Sequence, residues 1–211
     1  MGWYRLKKFN NESVTLVDVM RHGECQGGEI YRGSTDVALT DRGWQQMEEA
    51  VAHALPAPPW QRVITSPLVR CHDFAAHLSK RYNLPLTVEP DLREMNFGHW
   101  EGRLVEEVHR EHAAEVASFY KDPSQVTPPN GEPVADVQRR VANAFWRYLD
   151  GHQNQRLLFV QHGVTIRALV VSLLGLPLSQ LGGFEIPYAG RLQFKVYTSA
   201  ERRRVVLCRL G

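Results

Sequence analysis

Arg21-His22-Gly23-Glu24 sets a guanidinium and an imidazole side by side. Arginine offers a planar fork of donors that suits phosphate. A neutral histidine can serve as base, nucleophile or metal ligand. Gly23 admits backbone where a side chain would block it. Far downstream, Gln161-His162-Gly163 repeats the pattern. One buried histidine in a sheet is unremarkable, but two that follow equivalent apolar runs point to a shared site. Arg70 adds a second guanidinium. Glu94 adds a carboxyl, from a stretch dense in polar types that also holds Arg93, Asn96, His99, Trp100 and Glu101.

Two imidazoles and two guanidiniums make a pocket for a dianion, and a phosphoryl group is its natural occupant. His22 is placed to be an in-line nucleophile, giving a phosphohistidine. Glu94 is the candidate donor to the leaving oxygen and the acceptor from the attacking water. A carboxyl beside a phosphate and under a cap is expected to hold its proton more tightly than an exposed one. Helix N-termini after Gly23, Ser66 and Gly163 would add backbone donors of the same sign. Arg70 falls in a first helical turn, where a cation is unfavourable, so something negative is expected beside it.

These groups need strands to carry them. Val14 to Met20 is an apolar, β-branched run ending at Arg21, and Arg156 to Gln161 is a second. In an open α/β sheet such strand ends are where ligands bind. A helix is expected from an N-cap at Thr40 to about Leu55, ended by Pro56, Pro58 and Pro59. A strand over 62–65 leads to Ser66 as N-cap and Pro67 at the first position of a second helix. A third strand over 84–88, a helix over 104–120, a loop over 122–133 and a helix over 134–149 follow. The second histidine strand, a helix over 164–174, a loop over 176–189 and a hairpin of 191–197 with 204–209 complete the chain. Residues 1–13 read as a polar lead-in. Short strands alternating with amphipathic helices argue for an α/β fold with a mostly parallel sheet covered on both faces. The expected organisation is one domain over 1–211, with a cap insertion at about 91–133 over the strand C-terminal ends.

Composition excludes several classes. A formal charge of +2 is too small to argue for nucleic acid, and Arg202-Arg203-Arg204 reads as a solvated turn. No apolar run approaches the roughly 20 residues that span a bilayer, so no membrane partner is expected. Three cysteines without framework spacing suit a reduced, cytoplasmic protein. His109 and His112 stand at i,i+3 like a ligand pair, but no carboxylate or cysteine partner is placed with them. The expected partner is a small phosphomonoester; the oligomeric state stays open, a homodimer included.

Four segments together resemble the histidine phosphatase superfamily, the phosphoglycerate-mutase-like enzymes. They are Arg21-His22-Gly23-Glu24, Thr65-Ser66-Pro67-Leu68-Val69-Arg70, Leu92 to Gly102 around Glu94, and Gln161-His162-Gly163 leading to Ile166-Arg167. The resemblance covers about 14–197. It implies a three-layer α/β/α sandwich, no metal or other cofactor, His22 as phospho-acceptor and Glu94 as proton donor, with Arg21, Arg70 and His162 on the phosphoryl group. Within the family the chain is similar to bacterial α-ribazole phosphatases of cobalamin assembly, through its short Cys25–Ser34 loop, the Phe97–Gly102 segment and Pro128 to Pro133. Two departures stand out. Relatives carry a phosphate-contacting Asn after the first motif, where Gln26 or Arg32 must substitute here. Gln161 stands where Ser or Thr is commoner and is a candidate substrate contact.

The leading expectation is therefore a metal-independent phosphomonoesterase acting through phosphohistidine on α-ribazole 5′-phosphate. A broad phosphatase and a phosphoglycerate mutase need the same residues. A phosphate-binding regulatory module on an inactive scaffold is the non-enzymatic alternative. A metallohydrolase would set Arg21 and Arg70 against a cation, which is unfavourable. Tyr31, Trp100 and Tyr188 are candidates for the alcohol side of the pocket.

Overall fold

A computed structural model describes residues 12–52 and 60–210. Most of the expected lead-in over 1–13, and the expected helix end with Pro56, Pro58 and Pro59, lie outside the described residues. The elements are β1 (Ser13–Arg21), α1 (Asp41–Ala52), β2 (Arg62–Thr65), α2 (Val69–Tyr82), β3 (Leu86–Val88), α3 (Val105–Glu111), α4 (Ala113–Lys121), α5 (Val134–Gly151), β4 (Arg156–Gln161), α6 (Gly163–Leu173), β5 (Arg191–Thr198) and β6 (Arg203–Leu210).

The six strands form one sheet in the order β3-β2-β4-β1-β5-β6. The first four run parallel, and β5 and β6 close one edge as an antiparallel hairpin. The chain moves outward from β1 through β2 to β3, then turns back to insert β4 between β2 and β1. Reversing direction under right-handed crossovers sends later helices to the opposite face. Two separate cores result. Met20, Val63, Leu158 and Val160 pack with α1 and α2 residues such as Met47, Phe74 and Leu78. Val17, Val19, Ile64, Leu157 and Phe159 pack with α5 and α6. The period-2 alternation of β1 and β4 divides their side chains between the layers. The α/β/α sandwich and mostly parallel sheet expected from the sequence are what the chain adopts.

Helix patterning follows burial. On α5, Val134, Val137, Val141, Phe145 and Leu149 form one buried stripe. On α6 almost every residue is buried, as expected of a helix wedged between sheet and neighbours. Thr40 caps α1 as expected, its hydroxyl accepting from Gly43 N at 3.0 Å.

Four local expectations are corrected. No helix follows Gly23; residues 22–40 run as a loop pinned by bridges Cys25–Leu39 and Ile30–Leu104. The helix expected over 104–120 breaks at His112 (φ −125°, ψ 37°). The break lets Val108 on α3 and both Val116 and Phe119 on α4 bury themselves. The second helix starts at Val69, with Leu68 in cap position and no side-chain cap, because Ser66 is engaged elsewhere. The third strand is short, Leu86–Val88.

Candidate active site

Strand register assembles the site. Arg21 on β1 pairs with Gln161 on β4, and Val160 pairs with Thr65 on β2. His22 and His162, the next residues of β1 and β4, therefore emerge at the same level, with Ser66 one residue below them on β2. Backbone bonds hold this register, from His22 N to Gln161 O and from Ser66 N to Val160 O, both at 3.0 Å. The two imidazoles meet with ring centroids 5.2 Å apart.

Each ring has its tautomer set by the backbone or by a fixed charge. His22 Nδ1 lies 2.8 Å from Gly23 O, so Nδ1 carries the proton and donates. Nε2 is then an unprotonated lone pair with no protein partner among the described residues. Cys25 Sγ sits 3.3 Å from the same Nδ1. His162 is the reverse. Arg70 can only donate, and its Nε lies 3.2 Å from His162 Nδ1. Nε2 of His162 thus holds the proton and donates to Ser66 Oγ at 2.7 Å. Burial, then the Arg70 charge, pushes both imidazoles well below the ordinary value; for His22 the Gly23 bond opposes this, and Arg21 and Arg32 add to it. Both rings are neutral near pH 7, as nucleophilic attack requires.

A cavity of about 170 Å³ opens over His22. Its wall includes Arg21, Arg32, Glu94, Gly163, Arg167 and Tyr188. Arg21 is braced by Nη1 to Ile186 O at 2.6 Å and lies 4.3 Å from the Tyr188 ring centre. Burial lowers its basicity; Tyr188 and Glu94 oppose this, and the Arg167 charge adds to it. Arg32 is braced on Gln26 O and Gly28 O at 2.7 Å each. The Nε atoms of Arg21 and Arg32 are both buried without a protein partner. Unpaired buried donors are costly, so two of them at one cavity mark a place for acceptors. A Cβ on Gly163 would come within 3.4 Å of Arg21 Nε, so glycine there leaves the guanidinium its room.

Glu94 reaches the cavity from the 3-10 turns after β3. Its carboxylate accepts from Met95 N (2.9 Å) and Thr165 N (3.2 Å) at Oε1, and from Val164 N (3.0 Å) at Oε2. The Val164 and Thr165 amides of α6 therefore hold this carboxylate rather than a phosphate. Oε1 takes two bonds and Oε2 one, so Oε2 keeps the lone pair that a proton can use.

The remaining expected residues fall away from the cavity wall. Arg70 is fully buried, with Nη1 on Thr35 O (2.9 Å) and Nη2 on Gly33 O (2.7 Å). The negative partner expected for it is this set of carbonyls. His162 is equally buried, so it and Arg70 stand behind His22. The Gln161 side chain is buried off the cavity, its amide oxygen and nitrogen unpartnered; alternation along β4 turns it away. Gln26 is exposed, and of the two proposed substitutes only Arg32 lines the cavity. Tyr31 and Tyr188 line it, whereas Trp100 is packed in the core between Tyr31 and Phe119.

Three supporting residues take no role from the sequence, Arg140 and Gly43 outside any motif and Glu101 within the segment over 92–102. Arg140 on α5 spends its guanidinium on the Glu94 loop: Nη1 on Asp91 O and Arg93 O (2.6 Å each), Nη2 on Glu94 O (3.2 Å), and a two-point pair with Glu132 (2.7 and 2.9 Å). Glu101 accepts from Gly33, Ser34, Thr35 and Phe97 amides and from the Thr35 hydroxyl. It thereby presents the carbonyls that hold Arg70. Gly43 on α1 abuts Gly23 so closely that a Cβ on either would meet the other segment's backbone at 2.0–2.2 Å.

The paired neutral imidazoles, ringed by guanidiniums, belong to a recognised class. The family model for the histidine phosphatase superfamily (branch 1) matches residues 17–208, and the chain is a phosphatase of that family. It is 30% identical over 200 residues to phosphoserine phosphatase 1 of Hydrogenobacter thermophilus, covering 92% of this chain and 93% of that one. It is 31% identical over 174 residues to the adenosylcobalamin/alpha-ribazole phosphatase of Salmonella typhimurium, covering 80% and 84%. The fold superposes on a mycobacterial glucosyl-3-phosphoglycerate phosphatase with TM-score 0.82, covering 92% and 97% at 23% identity.

Proposed function

We propose that the protein hydrolyses a small phosphomonoester without a metal, through a phosphohistidine on His22. The observation that carries this is the His22 ring: neutral, Nδ1 fixed by Gly23 O, Nε2 unpartnered at the cavity beside the bare Nε donors of Arg21 and Arg32. Nε2 attacks phosphorus as the P–O bond to the alcohol breaks. Glu94, protonated at Oε2, gives its proton to the leaving oxygen. Water then attacks phosphorus, Glu94 takes its proton, and the N–P bond breaks to free phosphate and His22. Arg21 and Arg32 hold the phosphoryl oxygens directly. Arg70 and His162 act from behind, Arg70 by its charge and His162 by fixing Arg70 and packing on the His22 ring. The segment over 91–133 serves as the cap of a single domain.

The relatives' names bring two alcohols, α-ribazole and serine. The α-ribazole 5′-phosphate reading would place the protein in cobalamin assembly, in the cytoplasm. Among the described residues no helix is long and apolar enough to cross a membrane.

The test is hydrolysis of p-nitrophenyl phosphate in excess chelator, with rapid alkaline quench and mass measurement of the chain. Phosphate on His22 should be trapped, and His22→Ala should lose turnover by a factor of at least about 10³. Full activity in that variant would remove the nucleophile.

A further inference from the structure

One cavity residue has no part in that chemistry. Arg167 lines the reaction cavity and also a second chamber of about 380 Å³, walled by Arg21, Gly163, Glu185, Ile186, Pro187 and Tyr188 besides itself. The two spaces share Arg21, Gly163, Arg167 and Tyr188, so the second opens directly off the first. A leaving alcohol attached to a phosphoryl group on His22 has this chamber beside it.

Arg167 is held and yet underused. Its Nε donates to Gly163 O at 3.1 Å, one turn back on α6. Its terminal nitrogens have no acceptor, and no carboxylate pairs with it, among the described residues. Arg21 lies near enough for the two positive charges to oppose one another. Like charges lining one space call for an anion between or beside them. The phosphoryl group answers Arg21; Arg167, which lines the chamber as well as the reaction cavity, is left to answer a second anion there. A planar fork matches a carboxylate with two parallel bonds. Glu185 lines the same chamber, exposed and also without a cation partner among the described residues. It repels a second anion and attracts an ammonium.

Resting on the phosphohistidine reading, we infer that the leaving group carries a carboxylate held by Arg167, with Glu185 favouring an ammonium beside it. The substrate class is an O-phosphorylated hydroxy amino acid. An uncharged ribosyl alcohol such as α-ribazole would leave both Arg167 and Glu185 unanswered. That a relative at 30% identity is named a phosphoserine phosphatase agrees with this class.

The test is kcat/KM on four esters: O-phosphoserine, 3-phosphoglycerate (the hydroxyl analogue, carboxylate only), phosphoethanolamine (ammonium only) and α-ribazole 5′-phosphate. p-Nitrophenyl phosphate is the control for the common chemistry. Wild-type enzyme should prefer O-phosphoserine. Arg167→Gln should lower kcat/KM for the two carboxylate esters by roughly 10- to 100-fold, mostly in KM, the worth of a charge-assisted pair. It should leave phosphoethanolamine and the control nearly unchanged, and Arg167→Lys should recover part of the loss. Glu185→Gln should shrink the ratio of O-phosphoserine to 3-phosphoglycerate. An equal loss on all esters in Arg167→Gln, or a wild-type preference for α-ribazole 5′-phosphate, would overturn the inference. Turnover of no ester at all, the control included, would instead sink the phosphohistidine reading, and this inference with it.

Discussion

Arg140→Lys should separate the fold from the proton transfer. Arg140 bonds two oxygens of Glu132 and three carbonyls, those of Asp91, Arg93 and Glu94. Both side chains are nearly buried, at 10% and 14% exposure. Removing the cation altogether would strand a buried carboxylate at a cost of about 3–5 kcal/mol, a large share of the ~5–15 kcal/mol that holds a domain together. Lysine keeps the charge beside Glu132 but cannot span the fork. It forfeits about three carbonyl bonds at roughly 0.5–1.5 kcal/mol each, so urea unfolding should show a loss of about 2–4 kcal/mol in a protein that still folds. The loosened loop is the one that aims Glu94, and a 1 Å misplacement can cost about 100-fold in rate. In the proposed mechanism esters of poor leaving groups need the Glu94 proton; p-nitrophenyl phosphate, whose phenolate leaves unaided, needs it little. The variant should therefore slow an alkyl phosphate at least about tenfold more than p-nitrophenyl phosphate. An equal slowing of both esters would show that Arg140 supports stability alone and refute the link to Glu94.

Gly43→Ala should destabilise by about 1–3 kcal/mol, as overpacking does, although alanine in a helix is ordinarily the better residue by about 1 kcal/mol. The new Cβ would stand 2.0 Å from Glu24 O; a raised urea midpoint would contradict the close approach. Acid should unfold the protein through His22 and His162. Their folded values lie below the ordinary 6.5, so the unfolded chain binds protons first. Stability is full above about pH 6.5 and falls by up to about 1.4 kcal/mol per imidazole per unit below it. Urea midpoints that stay level between pH 7 and 5 would exclude two buried neutral rings. Glu101→Gln should remove a second acid-labile contribution. Burial would raise the Glu101 value, but the Thr35 hydroxyl and the Phe97, Ser34 and Thr35 amides outweigh it and lower it below 4.5. Its stabilisation is thus present above that pH and lost below, and the variant's stability should depend less on pH in that acid range. An unchanged pH slope would show that the carboxylate charge is not what those donors hold.

The legible part of this chain is the part written in strand alternation. β1 and β4 could be read because each is an apolar run that stops at a histidine, and a parallel sheet then obliges the two ends to lie level. Arg32 could be named but not chosen over Gln26, since a loop carries no period from which to tell which side chain turns inward. Gln161 misled for the opposite reason. It adjoins His162, and in a strand adjacent residues point to opposite faces. The Glu94 carboxylate looked like a neighbour of phosphate; which donors would greet it depended on where α6 begins relative to the loop before α3, a contact between segments far apart in sequence. Arg140 gave no signal at all, being an ordinary helix arginine until the fold sets Glu132 and three carbonyls before it. Gly43 was silent too, because a glycine in a helix shows its reason only when another backbone lies against it.

The charge balance of the site follows from that assembly and sets the two histidines apart. Arg21, Arg32 and Arg70 are braced by carbonyl oxygens, which orient a guanidinium without cancelling its charge. A carboxylate in those places would neutralise the pocket and raise the basicity of His22. Among the described residues the one carboxylate on the cavity wall, Glu94, is instead tied to the N-terminus of α6, where the helix dipole partly offsets it. The result is a positive hollow around two neutral rings. His162 has both nitrogens engaged, by Arg70 and Ser66, and can only support. His22 has one engaged, by Gly23 O, and its other nitrogen, without a partner among the described residues, is the one proposed as nucleophile.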